Sequence, residues 1–363
     1  MSQITAAAGP ANSPVPPSSP IPPQINIHTG SSLLQRVLCW LGWTGCLIFL
    51  VLFAGLSYGL REYFDTTEGI RERYHSGTKY ARDKVAIITV DGLILEGNGF
   101  VKRQIDRVRD DEHVKAVVVR VNSPGGTITG SDYIHHHLAK LRQEKKVPLV
   151  VSMGGVAASG GYYLAMAVGD QPKSIYAEPT TTTGSIGVIV PHYDVSGLLA
   201  NFNVKDDSIV SHPRKQLLAM TRPVSDEDRK ILQAYVNEAF GRFKDIVQGG
   251  RPVFRKAPQK LDELATGEIF TAQQAKNHGL IDEIGFIEDA VERALELAKL
   301  DKDQTRVVEY KPPPSLLEVP WLGEASAERS TLALLLELNT PRAYYLATTL
   351  PPLIDHRPAA ARP

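Results

Sequence analysis

Beyond residue 84 the chain alternates short, largely apolar β-branched runs with longer amphipathic stretches. The runs VAIITV (85–90), VKAVVVRVNSP (114–124) and PLVVSM (148–153) are typical of strands buried on both faces of a sheet. Amphipathic stretches over 98–111 and 131–144 lie between them and predict helices. This alternation predicts an α/β domain over residues 84–300, with a central sheet covered on both sides.

The second half of that domain predicts further helices. One begins after the N-cap residue Ser225 and runs to about Gln248, with acidic residues in its first turn. Others are predicted over 271–279 and 287–300. No internal duplication is visible, so we expect one catalytic unit.

The longest uncharged stretch lies near the N-terminus, over residues 37–60. As a helix it is long enough to cross a bilayer core of about 30 Å, and Trp40 and Tyr58 lie near its ends, where interfacial aromatic residues are expected. A cleaved signal peptide is the alternative, but the run and the segment before it are too long and no A-x-A site follows. We therefore predict a single transmembrane helix.

The segments that flank the span and the domain have a different composition. Residues 1–35 are rich in Pro, Ser, Ala, Gly and Asn and predict a disordered tail, whereas residues 61–83 are charged and predict a linker. The C-terminal extension, 301–363, is Pro-rich and then apolar, although Glu337 and Pro341 interrupt it. Because of these interruptions we expect it to pack on the domain, on the membrane surface or on a neighbouring subunit rather than to form a second span.

Composition says little about partners. Of 363 residues, 43% are apolar, which suits a chain with a buried core, and 40 basic residues balance 40 acidic ones. This charge balance gives no reason to expect a nucleic-acid partner. The two cysteines, Cys39 and Cys46, lie inside the apolar run, so we expect neither a disulfide framework nor a metal site, and no cofactor is predicted.

One hydroxyl group stands out among small residues. The segment GGVAASGGYY (154–163) joins an apolar strand to an apolar helix, with Ser159 at the junction. Small residues let a substrate backbone approach, and a helix N-terminus favours developing negative charge. Ser159 is therefore a candidate nucleophile, although a serine that only caps a helix in a tight turn would have the same sequence.

A second glycine segment, VNSPGG (121–126), also follows an apolar strand. Consecutive glycines can turn backbone N–H groups into a nest for an anion, although SPGG is also a common turn. An acyl-transfer enzyme needs two such donors aimed at the tetrahedral oxyanion. We pair the N–H groups of Gly126 and Gly160 as a candidate oxyanion site.

A serine nucleophile needs a base, and histidines are the usual partners. His135, His136 and His137 point in different directions on a helix and are predicted to be a surface feature. His192 and His212 fall in predicted loops and stay open as candidates.

Three segments together closely resemble the S49 family of bacterial Ser/Lys proteases, the signal peptide peptidase A family. They are GGVAASGGYY, the upstream VNSPGG and the downstream TTTGSIGVI (181–189), and the resemblance covers roughly residues 84–290. It implies a fold of repeated ββα units shared with Clp protease subunits and crotonases. It also implies that Ser159 is the nucleophile, Gly126 an oxyanion donor and Ser185 the hydroxyl that orients a lysine base.

The family's lysine occurs in a Ser-Gly-x-x-Lys segment, and SHPRK places Ser211 and Lys215 at the matching spacing. Two departures bear on the local backbone: His212 replaces the glycine, and the proline usual shortly after the lysine is absent. Without the resemblance Lys215 would look like a solvated charge. A lysine acts as a base at neutral pH only when uncharged, and burial against apolar side chains favours that form. The resemblance thus predicts Lys215 as the base of a Ser/Lys dyad.

The resemblance also implies an assembly and a location. In single-unit members of the family the serine and the lysine come from adjacent protomers, so we expect a ring-like homo-oligomer. Its chamber would admit unfolded peptides, such as signal peptides left in the membrane. More basic residues follow the apolar span than precede it, which favours a cytoplasmic domain. The family places the domain outside, and we expect the extracytoplasmic side.

Other hypotheses stay open. A crotonase-like acyl-CoA enzyme would share the fold and the glycine pair but would need no dyad, and a catalytically inactive membrane scaffold would be favoured if His212 distorts the lysine segment. The apolar, Tyr-rich TPRAYYLATTL (340–350) suggests that the C-terminal extension enters a neighbouring subunit's active site and is trimmed there.

Overall fold

A computed structural model describes residues 33–64, 70–312 and 344–346. The chain divides into two compact units, one within residues 1–64 and the other within residues 65–363. The predicted disordered tail lies outside the described residues, except that its last positions, from Leu33, are already helical. Most of the predicted C-terminal extension also lies outside them.

The strands and helices follow the predicted alternation, with boundaries that differ by a few residues. The strands are β1 Arg71–Gly77, β2 Asp83–Asp91, β3 Val114–Ser123, β4 Gly125–Thr127, β5 Leu149–Ala158, β6 Ile175–Ala177, β7 Thr182–Gly184, β8 Ile269–Thr271, β9 Glu283–Ile284, β10 Thr305–Lys311 and β11 Tyr344–Leu346. The helices are α1 Leu33–Phe64, α2 Phe100–Asp110, α3 Ile128–Lys145, α4 Gly160–Ala165, α5 Ser196–Asn201, α6 Asp226–Gly250, α7 Pro252–Lys256, α8 Pro258–Leu264, α9 Ala272–His278 and α10 Ile287–Ala298.

Helix α1 contains the predicted transmembrane segment and extends beyond it at both ends. Its residues Gln35–Ser57 form a 23-residue span with a mean hydropathy of 2.3, and side chains such as Trp40 and Phe49 are exposed. At about 1.5 Å per residue this span is about 35 Å long, enough for a bilayer core of about 30 Å. Among the described residues, this is one helix long and apolar enough to cross a membrane.

A single sheet organises the domain, in the order β1-β10-β2-β3-β5-β6-β9 over the part of the chain that is described. The strands from β10 to β9 run parallel, whereas β1 is antiparallel to β10. Strand β5 changes partner along its length. Its residues 151–153 pair with β6, and its last three, 156–158, pair with β7, which in turn is antiparallel to β8. The end of β5 therefore leaves the main sheet and leads into α4.

Both faces of the sheet are covered, as the apolar runs predict. Successive strand residues point to opposite faces. In β3, Val117 and Val119 pack in a core that includes residues of α2 and α3, whereas Ala116 and Val118 pack with Ala290 of α10 on the other side. This double burial explains why the strand sequences are continuously apolar.

The sheet extends past both predicted domain boundaries. Strand β1 lies in the predicted linker 61–83 and β10 in the predicted extension 301–363, yet they pair with each other, and β10 pairs with β2. As an edge strand, β1 is mostly exposed and polar, so it has no apolar alternation for sequence reasoning to detect. Buried Lys84 holds this edge through ion pairs of 2.7 Å with Glu72 and Asp111.

Candidate active site

Strand β5 ends and helix α4 begins at Ser159. Its backbone has φ 53° and ψ −115°, a conformation that is rare and costly for a residue other than glycine. Its N–H donates to the carbonyl of Gly184 and its own carbonyl accepts from the N–H of Tyr163, each at 2.8 Å. These bonds hold a sharp strand-to-helix turn, the geometry that presents nucleophilic serines in other folds.

The Ser159 hydroxyl is buried and unsatisfied. The residue is 1% exposed, and its Oγ has no hydrogen-bond partner among the described residues. The side chain makes no capping bond to α4 either, which argues against a purely capping role. Because an unpaired buried hydroxyl costs free energy, this arrangement needs a functional explanation.

Helix α4 starts against strand β4, and the contact requires glycine on both sides. A Cβ on Gly160 would lie 2.3 Å from Ser131 Oγ and 3.2 Å from the backbone N of Gly126. A Cβ on Gly126 would lie 2.0 Å from the carbonyl oxygen of Ile94. The two glycines proposed as oxyanion donors therefore meet directly beside Ser159.

Strand β4 is paired on both edges. On one edge the N–H of Ile94 donates to Gly125 O at 2.9 Å, and Ile94 O accepts from Thr127 N at 2.8 Å. Because alternate residues of a strand direct their backbone groups to opposite edges, those of Gly126 face the other edge. There β11 runs antiparallel, with Tyr345 opposite Gly126. A strand from the C-terminal extension thus lies next to the candidate oxyanion site of its own chain.

Ser185 neighbours Ser159 through the pairing of β5 with β7, in which Ala158 lies opposite Gly184. Ser185 is buried, has a φ of 50° and donates its N–H to Glu268 O at 2.6 Å. The structure therefore brings Ser159, Ser185 and the two glycines to one place.

Lys215 lies on a different, exposed segment. It belongs to a short 3₁₀ turn, Pro213–Gln216, and it does not hydrogen-bond to Ser159 Oγ. Apolar side chains nearby in sequence are also exposed, among them Phe202 and Ile209. Within one chain the structure does not join Lys215 to the serine.

Comparison with known proteins identifies the family of the chain. A family model described as Peptidase family S49 matches residues 141–301, which include Ser159, Ser185 and Lys215. A putative signal peptide peptidase SppA of Enterococcus faecium is 34% identical over 278 residues, which cover 73% of this chain and 77% of that protein. The chain belongs to peptidase family S49.

Two further relatives are also proteases by name. A putative protease of Synechocystis is 36% identical over 236 residues, covering 65% of this chain and 82% of the relative. Protease 4 of Salmonella typhi is 34% identical over 256 residues, covering 68% of this chain. The chain spans only 40% of the length of that longer protein.

His212, which stands where the resemblance expects a glycine, stabilises the turn that follows it. Its Nδ1 accepts the N–H of Arg214 at 3.2 Å and so caps the turn that carries Lys215. His192 Nε2 lies 3.2 Å from the carbonyl oxygen of Ala219. Neither histidine contacts Ser159 Oγ, so the structure gives no support to a histidine base.

The prediction that His135, His136 and His137 are a surface feature holds only for His136. His136 is exposed, but His135 and His137 are half-buried, and the His135 ring meets Tyr163 edge-on with centroids 5.4 Å apart. Helix α3 is packed on this side because α4 lies against it, a contact between segments that the local sequence does not reveal.

Sequence reasoning also missed a polar network behind the nucleophile. The Tyr163 hydroxyl donates to Asp132 Oδ1 at 2.6 Å, and Arg242 donates to the same oxygen from Nη2 at 2.6 Å and from Nε at 3.1 Å. Tyr163 lies one turn after Ser159, so these bonds tie α4 to α3 and α6. The only sequence signal was an acid and a tyrosine on neighbouring predicted helices.

The His135 environment predicts a pH-dependent stability. Burial lowers the pKa of His135 to about 4, against the opposing effect of nearby Asp132 and with a smaller lowering by Arg242. In the unfolded chain a histidine has a pKa of about 6.5. The contribution of uncharged His135 to the free energy of unfolding is therefore fully present above that pH. It is lost as the pH falls from there through about 4, by up to about 3 kcal/mol. We expect His135→Phe to lose less thermal stability than wild type between these pH values.

The measurement is the unfolding temperature of the detergent-solubilised protein across that pH range. His136→Gln, at the exposed neighbouring position, serves as the control and should follow the wild type. Parallel pH curves for wild type and His135→Phe would contradict the assignment.

Proposed function

We propose that this S49 protein is a membrane-anchored serine endopeptidase that uses a Ser159/Lys215 dyad. The observation that carries the proposal is the Ser159 hydroxyl, which is buried at a strained strand-to-helix turn and has no hydrogen-bond partner in the described part of the chain. The N–H groups of Gly126 and Gly160 beside it supply the oxyanion-binding donors of an acyl-transfer site.

Each group has a role in peptide hydrolysis. Ser159 Oγ attacks the peptide carbonyl while Lys215 Nζ, in its neutral form, accepts the hydroxyl proton. The N–H groups of Gly126 and Gly160 bind the oxyanion, and the lysine then protonates the leaving amine. Water, activated by the same amine, releases the acyl group from Ser159. Ser185 orients the lysine.

The dyad is completed between protomers of a ring. Lys215 and its apolar neighbours are exposed in the single chain, and an adjacent subunit would cover them. That burial would favour the neutral amine that the chemistry requires. The parallel strands followed by helices are consistent with a ClpP/crotonase-like fold of repeated ββα units.

The substrates are unfolded or membrane-associated peptides, including remnants of signal peptides. An extended peptide can add to the edge of β4, as β11 does, and the name of the Enterococcus relative includes signal peptide peptidase. With α1 as the anchor, the catalytic domain would lie on the extracytoplasmic side. We propose further that the C-terminal extension enters this edge as a peptide and is trimmed.

Intact-mass spectrometry with a phosphonylating serine-hydrolase probe tests this function. We expect a single adduct on Ser159 in wild type and none in Ser159→Ala, because only a hydroxyl with an oxyanion site and a base reacts rapidly. Without the probe, wild type should carry a shortened C-terminus and Ser159→Ala an intact one.

Each result separates the alternatives. A folded, assembled wild type that stays unlabelled would favour an inactive scaffold, and binding of acyl-CoA in place of peptide cleavage would favour a crotonase-like enzyme. Identical intact C-termini in both proteins would contradict trimming while leaving the dyad untouched.

A further inference from the structure

A cleft opens where strand β4 ends. It has a volume of about 620 Å³ and lies between the loop 95–98, the first turns of α3 and Tyr235 of α6. Thr127 Oγ1 donates to the carbonyl of Leu95 at 2.8 Å, which fixes the loop to the end of β4. Gly97 lets the loop approach α3, because a Cβ there would lie 2.5 Å from Tyr133. The cleft is therefore a built feature, and its lining begins at Thr127, the residue after Gly126 in β4.

The pairing of β11 shows which part of a peptide would reach the cleft. Tyr345 lies opposite Gly126 and Tyr344 opposite Thr127, so a peptide bound in this direction runs toward the cleft with its N-terminal side. The N–H of Gly126 points to the residue opposite it. An oxyanion formed at the carbonyl of that residue is therefore the one that this N–H would bind. In a substrate the scissile bond follows this residue, and the third to fifth residues before the bond pass over the cleft.

The cleft has the chemistry to hold a cationic side chain. Among the described residues, Glu96 is the one acidic or basic residue in the lining of the cleft, and it has no ion-pair partner there. Tyr235 is 51% exposed, so its ring is open to a ligand, whereas Tyr133, 38% exposed, packs against Gly97 and His137 and offers only part of its ring. Aromatic rings and a carboxylate together suit the aliphatic stem and charged end of lysine or arginine.

We infer that this cleft is a substrate subsite that favours Lys or Arg three to five residues before the scissile bond, with Glu96 as its specificity-determining residue. The inference rests on the proposed peptidase function and deepens it. Glu96 takes no part in the chemical step, so it acts on the binding of the peptide and hence on KM more than on kcat.

Matched quenched-fluorescence peptides test the subsite with the full-length protein in detergent. The peptides differ only in carrying Lys or Met at the third, fourth or fifth residue before the cleaved bond. At one of these positions we expect a three- to fivefold higher kcat/KM for Lys in wild type, on the order of a partly exposed charge pair. The preference should vanish in Glu96→Gln, reverse in Glu96→Lys and weaken at high salt.

Glu112→Gln is the matched control, since Glu112 is also exposed but lines a separate cleft with Thr78 and Tyr80. It should keep the wild-type preference. An unchanged preference for Lys in Glu96→Gln, or no preference in wild type, would overturn the inference while the peptidase function stands.

A failure of the proposed function is recognisable separately, because wild type would then cleave none of the peptides. Fluorescence anisotropy with labelled peptides and Ser159→Ala still decides the subsite in that case. Tighter binding of the Lys peptide that depends on Glu96 supports it, and equal binding of the Lys and Met peptides overturns it.

Discussion

Co-assembly of two inactive variants, Ser159→Ala and Lys215→Ala, is expected to restore roughly a quarter of wild-type peptidase activity, if protomers mix at random in a closed ring. A working site would take its serine from a Lys215→Ala protomer and its lysine from a neighbouring Ser159→Ala protomer. Each of these choices is met about half of the time in an equal mixture. Each variant alone should lose at least about 10³-fold in kcat, because nucleophile and base act as a unit.

The structure gives the reason to expect that the two inactive variants restore activity when they assemble together. Ser159 Oγ is buried and has no hydrogen-bond partner among the described residues, whereas Lys215 is exposed and makes no hydrogen bond to it. Among the described residues, the chain itself places no base in hydrogen-bond contact with Ser159 Oγ. In the proposed function, the base comes from a neighbouring protomer on assembly.

The experiment uses co-expression of the two variants with different tags, so that sequential purification isolates mixed particles. Lys205→Ala, at another exposed lysine of the same segment, is the matched control and should keep wild-type activity. Mixed particles that are assembled but remain inactive would contradict a dyad shared between protomers. Particles mixed after purification, without subunit exchange, should stay inactive in either case.

The fold was largely predictable because its signals are local. Continuous apolar runs identify β2, β3 and β5 as strands buried on both faces, and Ser225 does cap α6 by accepting the N–H of Asp228 at 3.1 Å. Strands β1 and β10 were missed as part of the sheet. Their pairing joins residues more than 200 positions apart, and the polar edge strand β1 has no pattern of its own.

The site was predictable only in part for the same reason. The motifs name Ser159 and the two glycines, but they do not reveal the positive φ of the serine, nor that its buried hydroxyl has no hydrogen-bond partner among the residues described. Both depend on contacts between distant segments, such as the bond from the Ser159 N–H to the carbonyl of Gly184 in β7. The cleft beside Glu96 joins a loop, α3 and α6, which no single segment of sequence brings together. The role of Lys215 stays a prediction because it depends on a second copy of the chain.

Gly160→Ala is expected to lower kcat by about 10² to 10³-fold, the effect of losing one oxyanion donor. The added Cβ would lie 2.3 Å from Ser131 Oγ and 3.2 Å from Gly125 Cα, so the start of α4 must move away from β4. That movement displaces the Gly160 N–H from the oxyanion position. Alanine also stabilises a helix relative to glycine by up to about 1 kcal/mol. A fall in kcat without a fall in unfolding temperature would therefore show that the substitution acts on catalysis and not on stability.

A second substitution and a control decide whether the cause is this contact. Ser131→Ala removes the atom that the new Cβ would strike, so Gly160→Ala with Ser131→Ala should recover part of the lost kcat. Gly155→Ala in the same segment meets only Asn122 Oδ1, at an ordinary 3.7 Å, and should retain activity. The measurements are kcat on a fluorogenic peptide and the rate of probe labelling at Ser159. If Gly160→Ala behaves like Gly155→Ala in both, the N–H of residue 160 does not stabilise the transition state, and the oxyanion site must be built from other groups.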